Sequence, residues 1–168
     1  MKMPDGMTMA DPGQYTVICV IPSPDGKPHL AKGMMRGLVV TPGSSTAALP
    51  APDLTMTLSD YDFQLSTPLT AGRRVIRIEN TAEQPHELVL FKLNAGRTVQ
   101  DMLDWSMKVE GPPPGVPLPG ISPLSNGISN TVAVDVTPGQ YALICFLPDA
   151  KDGRPHLAHG MVKQIAVQ

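Results

Sequence analysis

Residues 139–167 read GQYALICFLPDAKDGRPHLAHGMVKQIAV, and residues 13–40 read GQYTVICVIPSPDGKPHLAKGMMRGLVV. Each stretch is two apolar strands joined by a loop of turn residues, an Asp-Gly pair between prolines followed by Pro-His-Leu-Ala and Gly-Met. In the second copy Tyr141, Leu143 and Cys145 point to one face of the strand, and Ala142, Ile144 and Phe146 to the other. Neither face is polar, and the same holds from Tyr15 to Val20. A strand apolar on both faces is covered on both, so the two hairpins are expected to pack together or against another chain.

The spacing of the copies, about 126 residues, is that of a duplicated domain and not of a short-repeat solenoid. Only the second copy has room upstream for the rest of a domain. Residues 1–42 are therefore read as the C-terminal hairpin of a truncated domain, residues 43–50 as a linker rich in breakers, and residues 51–168 as one complete domain. An isolated hairpin is marginal in water. The N-terminal one is expected to pack on the complete domain or to swap into another chain, forming a homo-oligomer.

Outward from the C-terminal hairpin, the pattern stays strand-like. Leu54 to Leu58 alternates apolar and hydroxyl residues, Phe63 and Leu65 alternate with polar neighbours, and Val75, Ile76 and Ile78 lie in another such run. Leu88 to Phe91 and Val132 to Val136 complete the set. Arg97 to Lys108 differs, with Val99, Met102, Leu103 and Trp105 or Ser106 at helical spacing and Thr98 three residues before Asp101, which predicts a short capped helix. The proline-rich stretch 111–120 that follows predicts an extended loop. About seven short strands and one short inserted helix describe an all-β Greek-key sandwich.

Composition narrows the function. With 42 % hydrophobic and 17 % charged residues the chain is not disordered in bulk, and its 19 prolines and 15 glycines favour short strands and many turns. A net charge of −2 with interspersed signs offers no surface for nucleic acid. No apolar run approaches the ~18–20 residues that span a bilayer, and none resembles a signal peptide's apolar region. No Ser-His-Asp grouping, HExxH or phosphate-cradling glycine loop is present, so the protein is not expected to be an enzyme.

Four residues stand out chemically: His86, Cys145, His156 and Met161. Two imidazoles and a thiolate, with a thioether as a weak fourth ligand, suit copper cycling between Cu(I) and Cu(II). The segment Asn80-Thr81-Ala82-Glu83-Gln84-Pro85-His86, with the apolar strand after it, resembles the part of plastocyanin-like cupredoxins that carries the first histidine ligand. Tyr141 to Cys145, followed by Pro155-His156-Leu157-Ala158-His159-Gly160-Met161, is similar to the ligand loop of the rusticyanin type. The resemblance spans residues 51–168 and implies a cupredoxin fold and a single type 1 copper ion. By the same resemblance Cys145 is the thiolate ligand, His86 and His156 the imidazoles and Met161 the thioether. It further implies one-electron transfer with a redox partner protein, in a periplasmic or extracellular setting.

One spacing departs from the family. Its ligand loops place the histidine a few residues after the cysteine, whereas ten residues separate Cys145 from His156. The Asp-Gly turn between Pro148 and Pro155 either closes on itself and returns His156 to Cys145, or holds the two apart. In the second case the alternative function follows, a metal-free module with a structural or binding role. His159 reads as a surface residue, because Lys32 replaces it in the first copy, though it could stand in for His156. The first copy keeps Cys19, His29 and Met34 but has no counterpart of His86, hence the expectation of one copper ion. Met1, Met3, Met7 and Met9 are a weaker invitation to thioether ligation. Cys145 lacks the flanking histidines of a multicopper oxidase, and its loop lacks the second cysteine of a binuclear purple site.

Overall fold

The computed structural model of the protein describes residues 12–42 and 49–168, in two compact units divided between Ala48 and Leu49. The methionine-rich residues Met1, Met3, Met7 and Met9 lie outside the described residues.

The smaller unit is a hairpin. Strand β1 (Gly13–Ile18) pairs antiparallel with β2 (Met35–Val40), Gly13 opposite Val40 and Ile18 opposite Met35. The chain leaves the ladder after Ile18, short of the apolar run that reaches Val20, and returns through a bridge between Pro22 and Pro28 and a 3₁₀ turn over His29–Lys32. Val17, Ile18, Met35, Leu38 and Val39 are exposed.

The larger unit holds eight strands and a helix: β3 (Leu54–Ser59), β4 (Asp62–Leu65), β5 (Gly72–Asn80), β6 (His86–Leu93), α1 (Val99–Lys108), β7 (Gly115–Leu124), β8 (Ser129–Val136), β9 (Gly139–Ile144) and β10 (Val162–Val167). They form two four-stranded sheets, ordered β4-β3-β5-β8 and β10-β9-β6-β7. The pairing of β3 with β5 is parallel and the rest antiparallel. This is the expected all-β Greek-key sandwich with one inserted helix. Leu58, Phe63, Ile78, Leu88, Tyr141 and Leu143, all at most 1 % exposed, fill the space between the sheets.

The two-faced strand finds cover on both sides within this unit. Tyr141, Leu143 and Cys145 join the core between the sheets, while Ala142 and Ile144 meet Phe91, Leu93 and Met102 beneath α1. The helix thus supplies the layer that β9 requires. Its N-terminus is a full capping box: the Asp101 N–H donates to the Thr98 hydroxyl oxygen, and the Thr98 N–H donates to the Asp101 carboxylate.

The proline-rich stretch corrects the sequence reading. Residues from Gly115 onward are not a loop but strand β7, paired with β6. Proline removes a ladder donor, which a strand tolerates at a sheet edge, and β7 is an edge. The ladder is irregular between His86 and Leu90, and there Gly120 passes so close that a Cβ would sit 2.0 Å from the Leu88 carbonyl oxygen.

Asn80, 1 % exposed, ends β5 and organises the loop that leads to His86. Its amide donates to the carbonyls of Gln84 (2.9 Å) and Leu124 (2.8 Å), and its Oδ1 accepts from the Ala82 N–H (2.9 Å). Replacing Asn80 with alanine strands three backbone groups, two of them in buried hydrogen bonds, at a cost of roughly 2–3 kcal/mol. Urea denaturation of Asn80→Ala is expected to show a lower midpoint with an unchanged slope; an unchanged midpoint would contradict this role.

Candidate metal centre

His86 opens β6 on the face that carries Leu88 and Leu90 into the core. The antiparallel register of β6 with β9, Val89 opposite Ile144, sets the end of β9 beside the start of β6. Cys145 follows β9 on the inward face of Tyr141 and Leu143, so strand pairing alone brings the thiol and the first imidazole to one end of the sandwich. The Phe146 N–H donates to the Glu87 carboxylate at 3.0 Å and fixes the chain as it leaves.

The long excursion after Cys145 is closed. Pro148 bridges Pro155, the Asp149 N–H donates to the Arg154 carbonyl at 2.7 Å, and the Gly153 N–H donates to the Asp149 carbonyl at 2.9 Å. The His156 N–H then bonds the Leu147 carbonyl (2.8 Å), and the Leu157 N–H bonds the carbonyl of Cys145 itself (3.0 Å). A 3₁₀ turn over His156–His159 ends at Gly160, whose φ of 99° suits a residue without a Cβ. Beyond it, the Met161 N–H bonds the His156 carbonyl (3.0 Å) and the Cys145 N–H bonds the Met161 carbonyl (3.2 Å). Of the two outcomes the spacing left open, the structure takes the one that returns His156 to Cys145.

All four side chains are 0 % exposed. His86 Nδ1 lies 3.0 Å from His156 Nδ1 and 4.0 Å from Cys145 Sγ, and His156 Nδ1 lies 3.3 Å from that sulfur. Met161 is in the same buried cluster as Cys145. The opposite ring nitrogens turn toward carboxylates: His86 Nε2 is 3.2 Å from Asp60 Oδ1, and His156 Nε2 is 3.9 Å from Asp149 Oδ2 with no hydrogen-bond partner.

Proton placement constrains the two imidazoles. A neutral His86 keeps its hydrogen on Nε2 toward Asp60, so its Nδ1 presents a lone pair. If His156 carries its hydrogen on Nδ1, that contact is satisfied, but a bare Nε2 is left buried beside the Asp149 carboxylate. With the hydrogen on Nε2, two Nδ1 lone pairs face each other at 3.0 Å and the thiol can donate to only one. A cation held by the two Nδ1 atoms and the sulfur would take up both lone pairs and let His156 keep its hydrogen on Nε2, toward Asp149. Burial, and secondarily the neighbouring His86, depress the His156 pKa, while burial pushes the Cys145 thiol up.

Several residues around the site escaped the sequence reading. Tyr61, in the β3–β4 turn with φ 63°, donates a short hydrogen bond to Asp149 and sets its ring edge-on to His156 at 5.8 Å. The Gln84 amide donates to Asp149 (3.0 Å) and accepts from the Ala150 N–H (3.1 Å), stitching the His86 loop to the excursion. Hydrogen bonds from Tyr61 and then Gln84 hold the Asp149 carboxyl well below the usual carboxylate range. Asp60, Tyr61 and Asp149 are commonplace turn residues in one dimension, and only the folded loop brings them together. His159 does not stand in for His156; it pairs with Asp152 at 3.1 Å.

No protein-family model and no curated protein matches the chain. Among solved structures it is similar to dithionite-reduced auracyanin from the photosynthetic bacterium Roseiflexus castenholzii, with 17 % identity, a TM-score of 0.46, and 68 % of this chain and 94 % of that one covered. Auracyanin B matches at 18 % identity and TM-score 0.45, over 75 % and 96 % of the two chains. Auracyanin A from Chloroflexus aurantiacus, described as a blue copper protein, matches at 14 % and 0.42, over 68 % and 99 %. The larger unit's own features are two four-stranded sheets of mixed pairing, a helix between β6 and β7, and a His-Cys-His-Met group at one end of the sandwich. Residues 49–168 are a Greek-key β-sandwich of two four-stranded sheets with one inserted helix.

Proposed function

We propose that the larger unit binds one copper ion through His86, Cys145, His156 and Met161 and serves as a one-electron carrier that exchanges electrons with a partner protein outside the cytoplasm. The observation that carries this reading is the convergence of two imidazole Nδ1 atoms and a thiol sulfur within 4.8 Å of one another, fully buried, with His156 Nε2 left without a hydrogen-bond partner behind them. The donor types fit a metal that cycles between Cu(I) and Cu(II), which is the chemistry copper supplies there. The setting outside the cytoplasm follows the cupredoxin resemblance; among the described residues no helix is long and apolar enough to cross a membrane.

The protein's own part is to hold the donors. Strand pairing fixes His86 and Cys145, the closed excursion fixes His156, and the Gly160 turn delivers Met161. Such a rigid, dry pocket changes little between oxidation states. Asp60 and Asp149 act behind the imidazoles, favouring the hydrogen on Nε2 and so freeing Nδ1 to ligate.

Titration with Cu(II) should give one equivalent bound and an intense visible absorption from thiolate to metal. Cys145→Ser should abolish the band, Met161→Leu should keep it with a shifted reduction potential, and His86→Ala should lose most of the affinity. Protein that stays colourless on loading would leave the metal-free module as the better account.

Asp149→Asn removes the carboxylate behind His156 without changing its size. It should weaken Cu(II) binding about tenfold or more, and raise the potential, since loss of a negative charge disfavours Cu(II) more than Cu(I). Unchanged affinity and potential would show that Asp149 only fastens the loop.

Proton linkage gives a further check on the metal-free protein. The folded pKa of His156 lies below its unfolded value near 6.5, so its contribution to stability is present above about pH 6.5 and is lost as pH falls through the folded value. The folded pKa of Cys145 lies above its unfolded value near 9, so its contribution is present below pH 9 and is lost as pH rises through the folded value. Denaturation midpoints should therefore fall on both sides of this window. His156→Gln should flatten the acid limb and Cys145→Ser the alkaline one, and variants that track the wild type at every pH would refute the assignment.

A further inference from the structure

The hairpin of residues 12–42 rebuilds the metal loop of the larger unit almost bond for bond. The Cys19 N–H donates to the Met34 carbonyl at 3.1 Å, the Leu30 N–H to the Cys19 carbonyl at 2.8 Å, the His29 N–H to the Ile21 carbonyl at 2.9 Å, and the Met34 N–H to the His29 carbonyl at 3.0 Å. The equivalent bonds around Cys145 measure 3.2, 3.0, 2.8 and 3.0 Å. Pro22 bridges Pro28 as Pro148 bridges Pro155. Gly33, with φ 91°, closes the 3₁₀ turn as Gly160 does, and Lys32 clasps Asp25 at 3.0 Å where His159 clasps Asp152 at 3.1 Å.

The result is a second prearranged donor pair. Cys19 Sγ lies 3.4 Å from His29 Nδ1, against 3.3 Å for Cys145 and His156. Met34 occupies the loop position of Met161, but 59 % exposed instead of fully buried. Two differences decide the chemistry. Among the described residues of this unit there is no second imidazole, and the donors are partly open to water, with Cys19 only half-buried. Cu(II) is poorly served by one strong nitrogen donor beside a thiolate, whereas Cu(I) accepts two or three soft donors.

We propose that Cys19, His29 and Met34 form a second metal site, specific for a soft monovalent cation, Cu(I), and separate from the copper of the larger unit. Binding forms an S–Cu bond and releases the thiol proton to solvent; no electron is transferred and no co-reactant is needed. The site is colourless in the visible, so it does not add to the blue band expected from the larger unit. Partial exposure leaves the ion open to exchange with solvent ligands. The inference rests on the reading of the larger unit's loop only for the choice of copper.

The test uses the full chain, reduced and under anaerobic conditions, with Cu(I) supplied as its acetonitrile complex. Iodoacetamide labelling is followed by mass spectrometry on the separate peptides that carry Cys19 and Cys145. Cu(I) should slow labelling of Cys19 about tenfold or more, His29→Gln should remove most of that protection, and Cys145→Ser should leave it intact. Met34→Leu, which keeps an apolar side chain and removes only the thioether, should reduce the protection several-fold and does not rely on the loop surviving loss of its histidine. Unprotected Cys19, or protection as strong in both His29→Gln and Met34→Leu as in the wild type, would overturn the proposal, the latter by showing a bare thiolate at work. Failure of the larger site would appear instead as missing colour, with the Cys19 peptide unaffected.

Discussion

The site depends on the backbone closure of the loop after Cys145, in which the His156 N–H bonds the Leu147 carbonyl, the Leu157 N–H bonds the Cys145 carbonyl and Pro148 bridges Pro155. Without this closure, the ten residues after Cys145 would leave the second imidazole free to wander, and a buried thiol beside a single histidine would be all that remained. With it, the loop from Pro148 to Pro155 becomes a closed stalk that can change by a residue without disturbing the geometry at its base. The two copies demonstrate the point. Their stalks differ by one residue, Ser23–Lys27 against Asp149–Arg154, yet the sulfur-to-nitrogen distances differ by 0.1 Å.

The stalk of the larger unit also has chemical content. It carries Asp149 over the outer edge of His156, where Tyr61 and Gln84 hold the carboxylate in place. A carboxylate on this side of the ring favours the tautomer that ligates, and Asp60 does the same for His86. Each imidazole is therefore set between a carboxylate and the convergence point, a push from outside that a histidine in a bare turn would lack.

Much of this was legible in one dimension. Alternation at Leu54–Leu58 and Val132–Val136 marked strands because a half-buried strand shows period two, and Thr98 with Asp101 marked a helix start because the capping bonds are local. The order His86, Cys145, His156, Met161 was legible through its resemblance to a copper ligand set, with His86, Cys145 and Met161 beside strand ends and His156 in the 3₁₀ turn between them. Strand β7 was not, because prolines at 117, 119 and 123 read as breakers until the strand is known to lie at an edge. Nor were Asp60, Tyr61, Gln84 and Asp149, whose roles arise from contacts between turns far apart in the chain. The cover for β9 was anticipated, but its source was misjudged: in the larger unit it is α1.

His86 Nδ1, Cys145 Sγ and His156 Nδ1 converge within 4.8 Å of one another in a buried pocket, where we propose that they hold one metal ion. Anomalous diffraction at the copper edge from copper-loaded crystals tests it most directly. A peak is expected among those three atoms, with Met161 beside it and the donors displaced by no more than about 0.5 Å from their metal-free positions. A copper peak elsewhere in the larger unit, or a pocket that must rearrange to admit the ion, would contradict it.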